Sequence, residues 1–118
     1  MKLYFLFLLI CLPVWLSAQA TQFVVESFQM DLNDLEANRN PVFDVNDKKC
    51  ALIKVRTDLG NITFSSNNGI VEQKMVLTEY WIYVSFDEKK LNIYKEGFIP
   101  LNYEIPVSLE ESKVYTLY

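Results

Sequence analysis

From residue 21 onward, apolar and polar side chains alternate at period two in short runs rich in Val, Ile, Tyr and Phe, the pattern of half-buried strands. The clearest run is Tyr80-Trp81-Ile82-Tyr83-Val84-Ser85-Phe86, which sets Tyr80, Ile82, Val84 and Phe86 on one face and Trp81, Tyr83 and Ser85 on the other. β-Branched and aromatic residues lose rotamer freedom against a preceding helical turn, so a helix is disfavoured here. Cys50 to Thr57 repeats the pattern, with Ala51, Ile53 and Val55 opposite Lys54 and Arg56. Further strands are predicted over Phe23–Phe28, Ile62–Phe64, Ile70–Leu77, Leu91–Tyr94, Ile99–Tyr103, Val107–Leu109 and Val114–Leu117. Turn-forming segments separate them: Asp58-Leu59-Gly60-Asn61, Ser65 to Gly69, Asp87 to Lys90, and Glu110 to Lys113 as a last hairpin turn. Asp31 to Val45 lacks the alternation and is expected to be an ordered connection, with a single helical turn within Asp31 to Ala37, capped by Asn33, as an option. The expected fold is all-β, a single immunoglobulin-like sandwich of about seven to nine strands.

Residues 1–20 follow another pattern. Lys2 precedes an almost unbroken apolar run from Leu3 to Leu16, and Ser17-Ala18-Gln19-Ala20 follows with small residues. That sequence describes a secretory signal peptide cut within Ser17 to Thr21, just after Ala18. The run is shorter than the ~20 residues of a membrane-spanning helix and is interrupted by Pro13. The expected organisation is a leader over 1–20 and one domain over 21–118, exported to the periplasm, cell surface or medium, with no transmembrane helix in the mature chain. Cys11 as a lipid-modified first residue is disfavoured, since Ile10 precedes it.

Composition changes this picture little. Eleven basic and fifteen acidic residues give a net charge of −4, or −5 once Lys2 is removed, and the signs are interspersed. There is no basic stripe of the kind nucleic acid selects. After cleavage Cys50 stands alone, so the domain is expected to be held by its core rather than by disulfides.

One order of residues runs through the whole mature chain: Val25-Glu26-Ser27-Phe28, Asp34-Leu35, Asn40-Pro41-Val42, Cys50-Ala51-Leu52-Ile53-Lys54-Val55, Gly69-Ile70-Val71, Glu79 with Trp81-Ile82-Tyr83-Val84, Leu91 with Ile93, Ile105-Pro106-Val107 and Tyr115. This order resembles the N-terminal module of secreted bacterial proteins related to PEGA domains. The resemblance implies a small PEGA-like β-sandwich exported beyond the inner membrane and often placed ahead of other domains.

Chemistry has little to work with. The chain has no His, which removes the commonest general base and the Ser-His and Cys-His pairings, and no enzyme activity is expected. Cys50 reads as a buried, unreactive small hydrophobe. Glu110 and Glu111 read as a solvated turn. Asp44-Val45-Asn46-Asp47 lacks the Gly and Glu of a calcium loop, since Lys49 and Val55 occupy those places, and reads as a turn. No cofactor and no metal site are expected, and Asn61-Ile62-Thr63, a sequon, reads as a turn feeding a strand. The period-two reading leaves one candidate surface. Trp81 and Tyr83 point away from the core, with Tyr94 expected beside them on the next strand, as an exposed aromatic face. The alternative is that these rings pack under the Asp31 to Val45 connection. The expected role is a non-enzymatic exported module that binds or positions a protein or glycan at the bacterial envelope; the alternative is a structural spacer or truncated accessory module with no ligand of its own.

Overall fold

The computed structural model describes residues 21–118, so the expected leader over 1–20 lies outside the described residues. Ten strands are formed: β1 (Thr21–Gln22), β2 (Phe28–Met30), β3 (Ala51–Arg56), β4 (Thr63–Ser66), β5 (Glu72–Val76), β6 (Glu79–Val84), β7 (Lys90–Tyr94), β8 (Phe98–Ile99), β9 (Leu101–Glu104) and β10 (Val114–Leu117). One helical turn, α1 (Glu36–Arg39), lies between β2 and β3. The strands build a five-stranded sheet in the order β2-β10-β3-β6-β5, a three-stranded sheet β4-β7-β9, and a small parallel pair β1-β8. All pairs in the larger sheets are antiparallel except β10 with β3, which run parallel.

The two larger sheets share one core, which makes the fold an all-β sandwich. From the five-stranded sheet come Ala51, Ile53, Val55, Tyr80, Ile82, Val84, Tyr115 and Leu117; from the three-stranded sheet come Phe64, Leu91 and Ile93. These are the period-two faces of β3, β6, β10, β4 and β7, so the alternation predicts the inner layer correctly. Rings knit it further: Phe64 and Tyr80 lie 5.1 Å apart, and Phe28 stacks on Tyr115 at 5.6 Å. Two core tyrosine hydroxyls find partners, Tyr80 Oη donating to the Leu59 carbonyl (3.1 Å) and Tyr115 Oη accepting from the Glu110 N–H (2.9 Å).

Four expectations about elements are corrected. The opening strand divides into β1 and β2, with residues 23–27 outside both ladders. Phe86 is not in the core: β6 ends at Val84, and the Phe86 ring is 39% exposed. Val107–Leu109 forms no strand, because Pro106 lacks the N–H that a ladder needs at its start. The turn at Glu111–Ser112 therefore closes no hairpin, and β10 pairs instead with β2 and β3.

The five-stranded sheet is buried on both faces at its centre. On its outer face Cys50, Leu52, Trp81, Tyr83 and Val114 form a second apolar cluster, with Ala37 of α1 over them and Val42 and Val76 packed against it. The connection over residues 31–50 is thus a lid on the sheet. Asp34, not Asn33, organises its helical turn: one carboxylate oxygen accepts the Glu36 N–H (3.0 Å). The other oxygen pairs with the Lys54 ammonium reaching up from β3. Burial raises the Asp34 carboxyl, but the Lys54 and Glu36 hydrogen bonds outweigh it and hold its pKa below the usual value. Beyond α1, the Asp44 carboxylate accepts the N–H groups of Asn46 (2.8 Å) and Lys48 (3.0 Å), and Asp47 adopts φ 60°. The 44–47 segment is built as a turn, its carboxylate committed to its own backbone.

Candidate functional site

The three aromatic residues of the sequence-predicted surface do not come together. Trp81 and Tyr83 project from β6 onto the outer face of the five-stranded sheet; Tyr94 projects from β7 onto the outer face of the three-stranded sheet. The cause is topological. β6 and β7 follow one another in sequence, but the turn between them crosses from one sheet to the other.

The exposure expected of the first two rings is overturned as well. Trp81 is 9% exposed and Tyr83 1%, both covered by the 31–50 connection. The Lys54 ammonium sits 4.3 Å from the centre of the Trp81 ring and that of Lys74 5.3 Å from it. The indole therefore serves as the apolar floor for two cations, one of them buried. Its Nε1–H donates to Glu79 (3.3 Å), which also pairs with Arg56. Burial, then the nearby carboxylates of Glu36, Glu72 and Asp34, push the Tyr83 phenol up to about 12. Cys50, in the same cluster, is buried and free, its thiol pushed up to about 11 by burial and then by Asp44 and Glu72. At that value almost no thiolate is present at neutral pH, which leaves the sulfur a poor nucleophile.

Tyr94 alone among the three offers a ring to solvent, 39% exposed. It stands at the end of β7, opposite Thr63 of β4, on a face whose other outward residues are hydroxyls, amides and charged groups: Ser65 opposite Asn92, Asn92 opposite Asn102, Lys90 opposite Glu104. The Asn92 amide donates to Ser65 Oγ (3.3 Å), which holds both in place. At the Tyr94 end an open groove of about 700 Å³ is lined by Asn61, Thr63, Tyr94, Lys95, Glu96 and Pro100. Asn61 adopts φ 56° in the turn before β4, and Lys95 Nζ donates to the Gly60 carbonyl. The arrangement offers one flat ring, a hydroxyl, an amide, a cation and a carboxylate. It can stack on an apolar ring face and hydrogen-bond its rim.

Sequence reasoning missed a buried charge. Glu88, only 2% exposed, lies in the turn that crosses between the sheets. Its two oxygens accept the N–H groups of Asn67, Asn68, Lys89 and Lys90 at 2.8–3.2 Å. It thereby ties the 67–69 turn to the 87–90 turn. In sequence it reads as one more polar residue in Asp87-Glu88-Lys89-Lys90, and nothing local marks it.

Among the described residues, no group of three or more His, Cys, Asp or Glu side chains is placed to share a metal ion, and no helix is long and apolar enough to cross a membrane. Comparison with models of protein families, with curated proteins and with solved structures finds no match to this chain.

Proposed function

We propose that this chain is an exported, non-enzymatic β-sandwich module that holds a glycan at the cell envelope through the groove at Tyr94. The observation that carries the reading is that groove: a half-exposed ring at the edge of a face lined with hydroxyl, amide and charged groups. Sugars present the complement, a C–H face that packs on an aromatic ring and a rim of hydroxyls that exchange hydrogen bonds. Export rests on the charged, apolar and small-residue pattern of residues 1–20, and the envelope setting on that same pattern.

The test is a glycan array run with the wild-type protein and with Tyr94→Ala. The expected result is retention on a subset of glycans by the wild type and its loss in the variant, with thermal unfolding nearly unchanged because the ring is not in the core. Retention of envelope proteins but of no glycan would move the ligand class to protein. Retention of neither would favour a spacer.

A further inference from the structure

We propose that Asn68 is a self-modification site: its side-chain amide condenses with the Gly69 nitrogen, loses ammonia, and hydrolyses to aspartate or isoaspartate. The change loosens, in one direction only, the clasp that ties the 67–69 turn to the turn before β7. This inference is independent of the Tyr94 groove, which lies at the other end of β4 and β7.

Asparagine is a thermolabile side chain, and its lability depends on the residue that follows. A side chain there obstructs the approach of the next backbone nitrogen to the asparagine Cγ, and glycine has none. The chain has nine asparagines, and Asn68 alone precedes a glycine. Both residues are exposed, with Gly69 at φ 86° and open space where a side chain would stand. The Gly69 N–H is held only by a long bond to the Ser66 carbonyl (3.3 Å). Once deprotonated, the Gly69 nitrogen attacks Asn68 Cγ. A five-membered succinimide closes, the Cγ–Nδ2 bond breaks, and the amide nitrogen leaves as ammonia with the proton that Gly69 gave up. Water then opens the ring, at the side-chain carbonyl to give aspartate or at the main-chain carbonyl to give isoaspartate. Water is the one co-reactant, and nothing is oxidised or reduced.

The native contacts guard this amide and also depend on it. Asn68 Nδ2 donates to Asp87 Oδ1 (3.2 Å) and to Ser85 Oγ (3.4 Å), and the Asn68 N–H donates to the buried Glu88 (2.8 Å). The carboxamide is therefore held toward the 85–88 segment, and ring closure requires that grip to open locally. In the product, the donor that faced Asp87 is a carboxylate. Asp87 Oδ1 already accepts from Ser85 Oγ (2.7 Å), so two like charges meet across the contact with Glu88 adjacent. Isoaspartate also adds a carbon to the backbone between residues 68 and 69, which spoils the fit of the 66–69 turn. The loss of ammonia makes the loosening permanent.

Purified native protein is held at 37 °C and pH 8 for several weeks, then digested and mapped by mass spectrometry, with isoaspartyl methyltransferase labelling. The expected result is an amide-to-carboxyl mass gain at Asn68 ahead of every other asparagine, faster at pH 9 than at pH 6. Asp87→Ala, at an exposed position, frees the carboxamide and should speed the reaction severalfold. Asn68→Asp makes one product directly and should lower the urea midpoint by about 0.5 M. Asn68→Asp/Asp87→Asn sets one amide against one carboxylate again and should recover most of that loss. An Asn68 that stays intact, a rate unchanged in Asp87→Ala, or an Asn68→Asp variant as stable as the wild type would overturn the proposal.

Discussion

Replacing Trp81 by Ala measures whether the outer face of the five-stranded sheet is a second core. The period-two reading, which aims this ring at solvent, implies a cost below about 1.5 kcal/mol, against about 2–5 kcal/mol for Ile82→Ala. The structure implies a different size. An indole buries about 200 Å², and at about 25 cal/mol per Å² its transfer is worth up to about 5 kcal/mol. With Trp81 only 9% exposed, nearly all of that applies. Alanine keeps a small part, while the cavity left beneath Ala37 and the loss of the ring under Lys54 and Lys74 add to the cost. The sum falls at about 4 kcal/mol, within the usual span for Trp→Ala in a core and comparable with Ile82→Ala. With a urea m-value near 1.5 kcal/mol per M, the unfolding midpoint should fall by about 2.5 M. Trp81→Phe should recover much of the loss. A fall of less than about 1 M for Trp81→Ala would show that the 31–50 connection contributes little cover, and the two-core description would fail.

Three other perturbations probe separate contacts. The Asp34 carboxyl has a folded pKa below its unfolded value of about 3.8, so it contributes stability at pH above that value and loses it as pH falls through the folded pKa. Urea midpoints from pH 6 down to 2.5 should decline less steeply for Asp34→Asn than for wild type below pH 4, and parallel curves would refute the assignment. Glu88→Ala should cost about 2–4 kcal/mol, because four backbone N–H groups lose a buried charged acceptor; a thermal midpoint unchanged from wild type would contradict the staple. Cys50 should resist a thiol reagent until denaturant is added. Cys50→Ser should cost about 1–3 kcal/mol if the hydroxyl finds no partner, and rapid labelling of the native protein would show the cluster to be open.

Strands were readable from sequence where one face is apolar and the other polar, and β7 is the model case: Leu91 and Ile93 inside, Asn92 and Tyr94 outside. β3 and β6 defeat the same logic. Both are buried on both faces, so the alternation of Ile82 and Val84 with Trp81 and Tyr83 in β6, and of Ile53 with Leu52 in β3, marks two different cores rather than a core and a surface. Leu52 beside Lys54 was the local hint of that second layer. Reading neighbours in sequence as neighbours in one sheet puts Tyr94 beside Trp81 and Tyr83. Which sheet a strand joins is set by long-range packing, and no residue of Asp87 to Lys90 encodes the crossing in its own propensity. Glu88 was invisible for a related reason, since its partners at residues 67 and 68 are about twenty positions away.

The position of β10 also governs the order in which the molecule can be assembled. A chain delivered from its N-terminus presents β2, β3, β5 and β6 long before residues 114–117 arrive, yet β2 has no other neighbour in its sheet and β3 has an empty flank until then. Val114, Tyr115 and Leu117, all at 2% exposure or less, are the plug that joins the two halves. Closure therefore waits for β10, whose pairing with β3 spans some sixty residues of chain. Such long-range closure is slow compared with local hairpin formation. Until β10 is in place the two halves remain an open clamp.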